Sequence, residues 1–458
     1  MRVFEWLTLF SFIPILLLRF IPYAWQRRWL MVSVPLPALL SGIHLVVEGW
    51  RIQMVPLYIF AVIILVRRSP ALLRRDGAEW HGYGPFKSSA IVLFLVLCGV
   101  FAGWLLPVVK LPTPTGPYKV GIVDRELIDE KRGRRLMVSV WYPAAKGGTP
   151  APLTHYPDEV ATGLGNLAGV PGLPFQHLRY FMLSASQDAP ILAEGAPFPV
   201  LVFSHGLVGL RLQNSSTLQE LASWGYIVVA LDHTDAASVT VFPDKEARFY
   251  DLKRFLPPDV APGKGLVNDR VFPVWVADQR FIYNTIEKWA VNDPLFGGKL
   301  DLTRIGSFGH SFGGATALEV CRIDTRCRAA VNMDGGLYGD IRTQPAVRPL
   351  LLMNSSESSR NKEAVERWTH MIGNANATAY WLELPNSTHF SFTITQLLSP
   401  VLVPKNFDPS VGLHTIDKHL LAFFDLHLRD KKTVPIEQTS GETEVRWLTK
   451  ERLYPVGR

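Results

Sequence analysis

Four apolar runs within residues 1–110 restrict this part of the chain more than any other feature of the sequence. Residues 4–23, 30–47 and 88–109 each approach the ~20 residues that cross a bilayer as a helix, and residues 53–66 form a shorter run. Inside a bilayer only helices and closed barrels satisfy the backbone polar groups. The sequence therefore predicts an all-α transmembrane region of about four helices.

A cleaved signal peptide is the alternative interpretation of the first run. The segment that follows the apolar stretch, Arg-Phe-Ile-Pro-Tyr at residues 19–23, lacks the small residues of a cleavage site. We therefore expect the run to remain in the protein as a helix.

The net charge of +7 belongs to the apolar N-terminal part of the chain. Residues 1–110 contain 11 Lys or Arg and four Asp or Glu, whereas residues 111–458 contain 36 of each. A nucleic-acid-binding surface would need its basic excess on the folded domain. We therefore expect no nucleic-acid partner.

The basic loops predict the orientation of the helices. Arg27 and Arg28 lie in the first loop, and the third loop, residues 67–87, carries four arginines and a lysine. Short Lys/Arg-rich loops stay in the cytoplasm, and with four spans these two loops share one side. The sequence thus predicts an integral protein of the cell (inner) membrane whose larger domain lies outside the cytoplasm. Because no buried charge pair is evident in the runs, we interpret them as an anchor rather than a transport pathway.

Beyond a Pro-rich linker at residues 110–117, short β-branched runs alternate with helical stretches up to about residue 430. Such alternation favours an α/β fold, with a mostly parallel sheet and helices on both faces. The runs interpreted as strands are residues 136–141, 200–203, 226–231, 304–308, 329–333, 349–353 and 378–384. Residues 111–430 are therefore predicted to form one domain, and residues 431–458 a polar tail. Residues 151–196 form either a cap over an apolar site or an ordinary core insertion.

The sequence Gly-His-Ser-Phe-Gly at residues 309–313 lies between a predicted strand and a predicted helix. Glycines at the first and last positions permit a sharp turn that exposes the Ser311 hydroxyl above the sheet, as in the nucleophile elbow of α/β-hydrolases. A Gly-rich turn with a structural serine is the alternative. The position between strand and helix favours the α/β-hydrolase fold, with Ser311 as the nucleophile.

A serine nucleophile requires a base and an acid that orients the base. Asp334 follows the next strand, and His389 lies on a loop directly after a later strand, so the chain order is Ser, Asp, His. Asp324 and Asp340 are the alternative acids. The other histidines after Ser311 lie in or beside predicted helices: His370, His414, His419 and His427.

Backbone amides must stabilise the oxyanion of the tetrahedral intermediate. Phe312 follows the nucleophile, and Leu207 lies in the loop after the strand at residues 200–203, so these two amides are predicted to form the oxyanion hole. We interpret His205 and His233 as residues that fix loops or pack. No metal and no cofactor are expected, because no further ligand residues lie in register with Asp232, His233 and Asp235.

Five segments together resemble the secreted-type, isoform II platelet-activating factor acetylhydrolases, particularly bacterial relatives. The segments are Phe-Ser-His-Gly-Leu at 203–207, Ser-Trp-Gly-Tyr at 223–226 with Asp-His at 232–233, Gly-His-Ser-Phe-Gly-Gly at 309–314, Val-Asn-Met-Asp-Gly at 331–335 and His-Phe-Ser-Phe at 389–392. The resemblance covers residues 118–428 and implies the same triad and oxyanion hole. It also implies hydrolysis of short or oxidised sn-2 acyl esters of phospholipids. A general carboxylesterase, lipase or polyester hydrolase of the same fold is the alternative.

Two further expectations concern the cysteines and the class of protein. Cys321 and Cys327 flank the turn after the elbow helix in an oxidising location, so we expect a disulfide between them. The membrane-anchored esterase competes with an inactive binding module, which would lack a triad residue, and with a transporter or sensor, which would need functional polar residues inside its spans. Neither requirement is met by the sequence.

Overall fold

The computed structural model of the chain describes residues 2–17, 20–73, 86–256, 265–431 and 446–447. The chain divides into two compact units. The first comprises Met1–Val108 with the short segments Leu173–His177 and Leu398–Pro400, and the second comprises the remaining residues. The sequence had suggested a boundary at residue 110.

The first unit is helical throughout the described residues. Its helices are α1 (Val3–Ser11), α2 (Ile13–Leu17), α3 (Tyr23–Ser33), α4 (Pro35–Val47), α5 (Val55–Leu73) and α6 (Phe86–Leu105). Val34 has a helical backbone and joins α3 to α4, and the segment Arg28–Val47, with a mean hydropathy of 2.0, is long and apolar enough to cross a membrane. A segment of this kind near an N-terminus is typical of a membrane span or of a signal sequence.

The apolar stretches of the other helices in the first unit are shorter than a membrane span. They cover Val3–Leu17, Ile52–Arg67 and Ala90–Leu105. Helices therefore occur in all four of the apolar runs, and within the described residues Arg28–Val47 is the one segment that combines the length and the hydropathy of a span.

A buried ionic cluster joins the helices of the first unit, contrary to the expectation from the sequence. Arg51 Nη1 lies 2.9 Å from Glu5 Oε1, and both side chains are buried. Arg2 Nε lies 2.9 Å from the same oxygen, and His44 Nε2 lies 3.8 Å from it. The expectation was wrong because Glu5 lies at the start of one apolar run and Arg51 lies between two others, and only helix packing brings them together. Although Glu5, His44 and Glu48 offer ligand atoms within 4.8 Å of one another, the two arginines on Glu5 disfavour a cation there.

The second unit is built on a sheet of eleven strands among the described residues. The strands of the unit are β1 (Lys119–Asp129), β2 (Arg134–Ala144), β3 (Pro150–Pro152), β4 (Met182–Gln187), β5 (Phe198–Ser204), β6 (Ile227–Asp232), β7 (Val239–Val241), β8 (Ala247–Phe249), β9 (Leu300–His310), β10 (Cys327–Met333), β11 (Leu350–Ser355), β12 (Ala379–Leu384) and β13 (Arg446–Trp447). The order in the sheet is β13-β12-β11-β10-β9-β5-β6-β2-β1-β4-β3, and β7 pairs with β8 separately.

The middle of the sheet is parallel, from β6 through β5, β9, β10 and β11 to β12. Every residue of β5 and β6 is buried, as expected for parallel strands that are covered on both faces. The α/β class and the mostly parallel sheet predicted from the sequence are confirmed.

Helices cover both faces of this sheet. They are α7 (Pro157–Ala168), α8 (Ser215–Ser223), α9 (Phe272–Asn292), α10 (Phe312–Ile323), α11 (Lys362–Gly373) and α12 (Pro409–Arg429). Ile305 of β9 belongs to the same buried cluster as Ile282 and Ile286 of α9. A Cβ on the next residue, Gly306, would contact Phe424 of α12. Because successive strand residues face opposite sides, α9 and α12 lie on opposite faces of the sheet.

The ends of the segment at residues 151–196 are part of the sheet. β3 pairs with β4, and β4 pairs in parallel with β1. A cap is therefore restricted to the part between these strands, which contains α7 and a short 3₁₀ helix, Leu173–Tyr180. Of the predicted polar tail, Arg446–Trp447 pairs with β12, and residues 432–445 and 448–458 lie outside the described residues.

Candidate active site

Ser311 lies at a sharp turn between β9 and α10. Its φ of 56° and ψ of −123° lie in a region that residues other than glycine rarely adopt. Its amide donates to the carbonyl of Met333 at 2.8 Å. Gly309 and Gly313 permit the turn, because a Cβ on either would overlap the backbone of Gly313 and Ser204 respectively. Ser311 stays partly exposed and has the strained geometry of a nucleophile elbow.

Asp334 follows β10 and binds His389. His389 Nδ1 lies 2.8 Å from Asp334 Oδ2, and the carboxylate also accepts from the Ser355 amide at 2.7 Å, the Ser355 hydroxyl at 3.0 Å and the Ser358 hydroxyl at 2.9 Å. Burial acts to raise the pKa of Asp334, but the hydrogen bond and charge of His389, with these donors, lower it overall. The carboxylate is therefore an ionised acceptor that can orient an imidazole.

The alternative acids have arginine partners. Arg326 Nη2 lies 2.8 Å from Asp324 Oδ2, and Arg322 Nη2 lies 3.1 Å from Asp340 Oδ2. Within the described residues, neither of these carboxylates shares a hydrogen bond with a histidine. Both carboxylates are therefore held by arginines rather than by an imidazole.

His389 begins a short 3₁₀ helix, His389–Phe392, after β12. Its side chain is 35% exposed, so a substrate can reach it. The described residues include no hydrogen bond between its imidazole and Ser311 Oγ, and such contacts are often long in ligand-free sites. The remaining histidines after Ser311 lie on α11 (His370) or on α12 (His414, His419, His427).

The loop after β5 brings its backbone against Ser311. A Cβ on Gly206 would lie 3.1 Å from Ser311 Cβ. In the described part of the chain, neither the Leu207 amide nor the Phe312 amide donates to another backbone group. Both amides therefore have no backbone acceptor among these residues, which is the condition that an oxyanion-binding donor requires.

His205 and His233 are both buried and both engaged in fixing loops. The His233 amide donates to His205 Nε2 at 3.0 Å, and His205 Nδ1 lies 2.6 Å from the Gly206 carbonyl. Asp232 accepts from the Arg211 amide at 2.6 Å and pairs with the Arg211 guanidinium. These residues hold the loop after β5 by hydrogen bonds, as the sequence had suggested for the two histidines.

A second Ser–His–Asp arrangement, which the sequence analysis missed, lies in the core of the unit. His233 Nε2 lies 3.2 Å from Ser204 Oγ, and His233 Nδ1 lies 3.2 Å from Asp278 Oδ2. Arg132 Nη1 and Arg134 Nε bind Asp278 at 2.7 and 2.9 Å. Burial lowers the pKa of His233 to about 3 against the opposing effect of Asp278. We refer to Ser204, His233 and Asp278 as the buried triplet.

His310, inside the elbow motif, is a further residue that the sequence analysis gave no role. Its Nε2 lies 2.9 Å from the carbonyl of His389, and the two imidazole rings lie 4.4 Å apart. Burial first, and then the charge of His389, lower the pKa of His310 to about 3. No local pattern could reveal this contact, because 79 residues separate the partners.

Cys321 at the end of α10 and Cys327 at the start of β10 are paired in the structure. Their Cα atoms lie 4.9 Å apart, within the range that a disulfide spans. Cys98, in α6, is a free and exposed thiol.

Comparison with known proteins places the chain in a family. The model of the family described as platelet-activating factor acetylhydrolase, isoform II, matches residues 105–255 and 289–444. Platelet-activating factor acetylhydrolase of Canis lupus familiaris is 26% identical over 70% of this chain and 78% of its own length. A probable 1-alkyl-2-acetylglycerophosphocholine esterase of Arthroderma benhamiae is 29% identical over 50% of this chain and 60% of its own length.

A solved structure supports the same fold. Ferulic acid esterase from Streptomyces cinnamoneus superposes with a TM-score of 0.61 and 25% identity, over 75% of this chain and all of the other. The family model covers most of the second unit, including every residue of the candidate site. The chain therefore belongs to the platelet-activating factor acetylhydrolase, isoform II, family and is an ester hydrolase.

Proposed function

We propose that the chain hydrolyses carboxylic esters through a covalent acyl-enzyme formed on Ser311, with His389 as general base and Asp334 as the acid that orients it. The observation that carries the proposal is the 2.8 Å contact between His389 Nδ1 and Asp334 Oδ2, on the loops that flank the strained turn of Ser311. Nucleophile, base and acid follow the chain order that α/β-hydrolases use.

The reaction follows from the protonation states of these groups. Because Asp334 accepts a hydrogen bond from the Nδ1–H of His389, the proton stays on Nδ1 and the Nε2 lone pair is free to take the proton of Ser311. Ser311 Oγ then attacks the ester carbonyl, and the amides of Leu207 and Phe312 bind the resulting oxyanion. Collapse breaks the ester bond, and the alcohol leaves with the proton from His389. Water, activated by the same base, releases the acid and restores Ser311.

Short or oxidised sn-2 acyl groups of phospholipids are the proposed substrates. The relatives named as platelet-activating factor acetylhydrolases support this class, while the ferulic acid esterase keeps a general carboxylesterase as the second candidate. Bulky residues are close in sequence to the proposed oxyanion hole, namely Leu207, Leu210 and Phe312. Each CH₂ of an acyl chain gains about 0.8 kcal/mol only while apolar room remains, so crowding by these side chains favours short chains.

A series of p-nitrophenyl esters tests the substrate class. We expect kcat/KM to peak between acetate and hexanoate and to fall by more than roughly tenfold by palmitate, since the gain per CH₂ ends where the pocket ends. Phospholipids with a short sn-2 chain should be cleaved faster than long-chain ones. A preference for palmitate or long-chain triglyceride would instead identify a lipase with the same triad.

Labelling with a fluorophosphonate tests the mechanism separately from the substrate. The wild-type chain should be labelled at Ser311, and pre-incubation with a short-chain ester should slow the labelling. Labelling at another serine, with full hydrolysis, would reject Ser311 as the nucleophile.

We further propose that the first unit anchors the enzyme in a membrane, with about four spans and the second unit outside the cytoplasm. The segment Arg28–Val47 supports one span. Large apolar side chains are exposed on this segment (Val46) and on other helices of the first unit (Phe10, Phe94, Phe101), and they support contact with lipid. The disulfide proposed between Cys321 and Cys327 agrees with an oxidising compartment.

Two measurements test this location. Protease added outside spheroplasts should cleave within residues 111–458 and spare the loop at residues 67–87. Alkylation before and after reduction, read by mass, should find Cys321 and Cys327 blocked until reductant is added. A protected second unit would reverse the orientation, and two free thiols in the native protein would reject the disulfide.

A further inference from the structure

The side chain of Gln213 lies where three loops of the candidate site meet. Its Oε1 accepts from the amide of Gly206 at 3.3 Å, and its Nε2 donates to His310 Nδ1 at 3.1 Å. His310 Nε2 in turn lies 2.9 Å from the carbonyl of His389. One line of hydrogen bonds therefore runs from the loop that carries Leu207 to the loop that carries His389. We call it the Gln213 relay.

The direction of the relay is fixed at both ends by backbone groups. The amide of Gly206 can only donate, so it requires the oxygen of the Gln213 side chain and turns the nitrogen toward His310. The carbonyl of His389 can only accept, so it requires the proton of His310 on Nε2. His310 is thereby held as one neutral tautomer, with a lone pair at Nδ1, which agrees with the lowering of its pKa to about 3 by burial.

The chain around Gln213 is shaped to hold this side chain. A Cβ on Gly209 would overlap Gln213 Oε1, so the glycine leaves the space that the side chain occupies. The carbonyl of Gln213 accepts from the amide of Ile394 at 2.9 Å, and Asn214 Nδ2 donates to the carbonyl of Phe392 at 2.6 Å. The segment that bears Gln213 is therefore fastened to the short helix that begins at His389.

We propose that Gln213 is a positioning residue, whose side-chain amide fixes the proton of His310 on Nε2 so that His310 holds the carbonyl of His389 in place. The inference rests on the proposed function, because its purpose is to set the imidazole of His389 relative to Ser311 and to the amide of Leu207. Misplacement of a catalytic group by about 1 Å can cost on the order of 100-fold in rate, so a relay of this kind controls kcat more than substrate binding.

Two substitutions of the full-length chain separate the parts of this inference. Gln213→Met keeps the side-chain volume but removes both hydrogen bonds, so His310 can move its proton to Nδ1 and release the carbonyl of His389. We expect kcat for p-nitrophenyl acetate to fall roughly 10- to 100-fold with KM changed less than about threefold. Gly209→Ala should give a similar loss, because the added Cβ displaces Gln213.

Gln213→Glu keeps the acceptor for Gly206 but places a carboxylate oxygen against His310 Nδ1. The carboxylate favours a second proton on His310, whose ring is also faced by His389, Asp334 and His205. A cation at His310 disfavours protonation of His389, so the acid limb of the kcat/KM profile should move to lower pH. A carboxylate at position 213 that left His310 neutral would instead favour protonated His389 and move the limb to higher pH.

Gln219 provides the matched control. It is a buried glutamine whose Oε1 accepts from the Ser184 amide at 3.0 Å and whose Nε2 donates to the Pro112 carbonyl at 2.9 Å. Gln219→Met should lower the melting temperature and leave kcat and the pH profile of the folded enzyme unchanged.

The outcomes distinguish the relay from the proposed function. If fluorophosphonate labels Ser311 but Gln213→Met keeps kcat within about threefold, or Gln219→Met loses as much, the relay is rejected and the triad stands. If Ser311 is not labelled in the wild-type chain, the proposed function itself fails. Should Gln213→Met not fold, an acid limb in Gln213→Glu that is unmoved or moved to higher pH still rejects the relay.

Discussion

Two Ser–His–Asp arrangements occur among the described residues of the second unit, and the differences between them explain why only one is proposed to be catalytic. In the buried triplet, His233 contacts Ser204 and Asp278 at 3.2 Å each. In the proposed catalytic triad, His389 contacts Asp334 at 2.8 Å. Judged by contact distances alone, the buried triplet is the more complete of the two.

Access and backbone conformation separate them. Ser204, His233 and Asp278 are each fully buried, and Trp275 stacks on His233 with ring centroids 3.7 Å apart, which leaves no room for a substrate. Ser204 ends a regular strand, whereas Ser311 is partly exposed and has a φ of 56° at a sharp turn. A serine can attack an ester only where the carbonyl can reach it.

Electrostatics separates them as well. Arg132 and Arg134 bind Asp278 and cancel its negative charge. Asp334 is instead held by neutral donors, the Ser355 amide and two hydroxyls, which stabilise its charge without cancelling it. An imidazolium forms in the transition state of acyl transfer, and only an uncancelled carboxylate can stabilise it.

Substitution of the two serines should give the largest contrast. Ser311→Ala removes the nucleophile, so turnover should fall by a factor on the order of 10⁴ or more, with loss of fluorophosphonate labelling. Ser204→Ala removes one buried hydroxyl, so kcat should stay within a few-fold and only the melting temperature should drop. Full activity in Ser311→Ala, or inactivity of folded Ser204→Ala, would reverse the assignment of the two arrangements.

The two aspartates should differ in kind. Asp334→Asn leaves His389 without the acceptor that fixes its tautomer, so kcat should fall roughly 10³- to 10⁴-fold at nearly constant stability. Asp278→Asn removes the carboxylate that binds Arg134 and one of the two that bind Arg132, which keeps its ion pair with Asp129. We expect a loss of about 3–5 kcal/mol of unfolding free energy with kcat per folded molecule retained. Unfolding curves and active-site titration measure both quantities, and a catalytic defect in Asp278→Asn at full stability would contradict the comparison.

The sequence was sufficient for those parts of the site that local signals determine. Glycines around Ser311 and the change from a strand pattern to a helix pattern predicted the elbow, because such turns require them. Asp334 and His389 were predicted from their positions after strands, since the carboxyl ends of parallel strands meet at one edge of the sheet. The structure brings these two side chains together, although 55 residues separate them.

The rest depends on contacts between distant segments. Asp278 lies within α9, and the sequence of a helix does not show whether such a carboxylate is buried or exposed to solvent. Its partners Arg132 and Arg134 are 146 and 144 residues away in the chain. Gln213 and His310 are 97 residues apart, and Glu5 and Arg51 are 46 apart. The local sequence around each of these polar residues does not indicate which distant residue it contacts. The buried triplet, the relay and the ionic cluster were therefore not predicted.

The third contrast concerns stability in acid. Burial lowers the pKa of His233 to about 3, against about 6.5 for histidine in an unfolded chain. Between these values the unfolded state binds a proton that the folded state does not, so the unfolding free energy falls as the pH decreases, by about 1.4 kcal/mol per pH unit. Above about pH 6.5 the contribution of His233 is fully present.

His233→Asn should flatten this dependence, since asparagine can still donate to Asp278 but does not titrate. Urea unfolding between about pH 6 and pH 4.5 should show a slope smaller by about 1.4 kcal/mol per pH unit than in the wild type. The comparison must be made between variants, because burial raises the pKa of Asp417 to about 8 and so makes stability fall as the pH rises from about 4 to 8. An unchanged slope would mean that His233 is protonated in the folded state.

The smallest contrast tests the neutral donors of Asp334. Ser358→Ala removes one hydroxyl from the carboxylate, and water can replace part of its effect at this half-buried position, so kcat should fall only about 3- to 10-fold with KM unchanged. Ser359 is the matched control, because its buried hydroxyl has no hydrogen-bond partner among the described residues, and Ser359→Ala should leave kcat as it is. Introducing a cation, as in Ser358→Lys, should cost far more than Ser358→Ala, since it would cancel the charge of Asp334 as the arginines cancel that of Asp278. If the lysine variant were as active as the alanine variant, charge cancellation would not explain why one arrangement is proposed to be catalytic and the other is not.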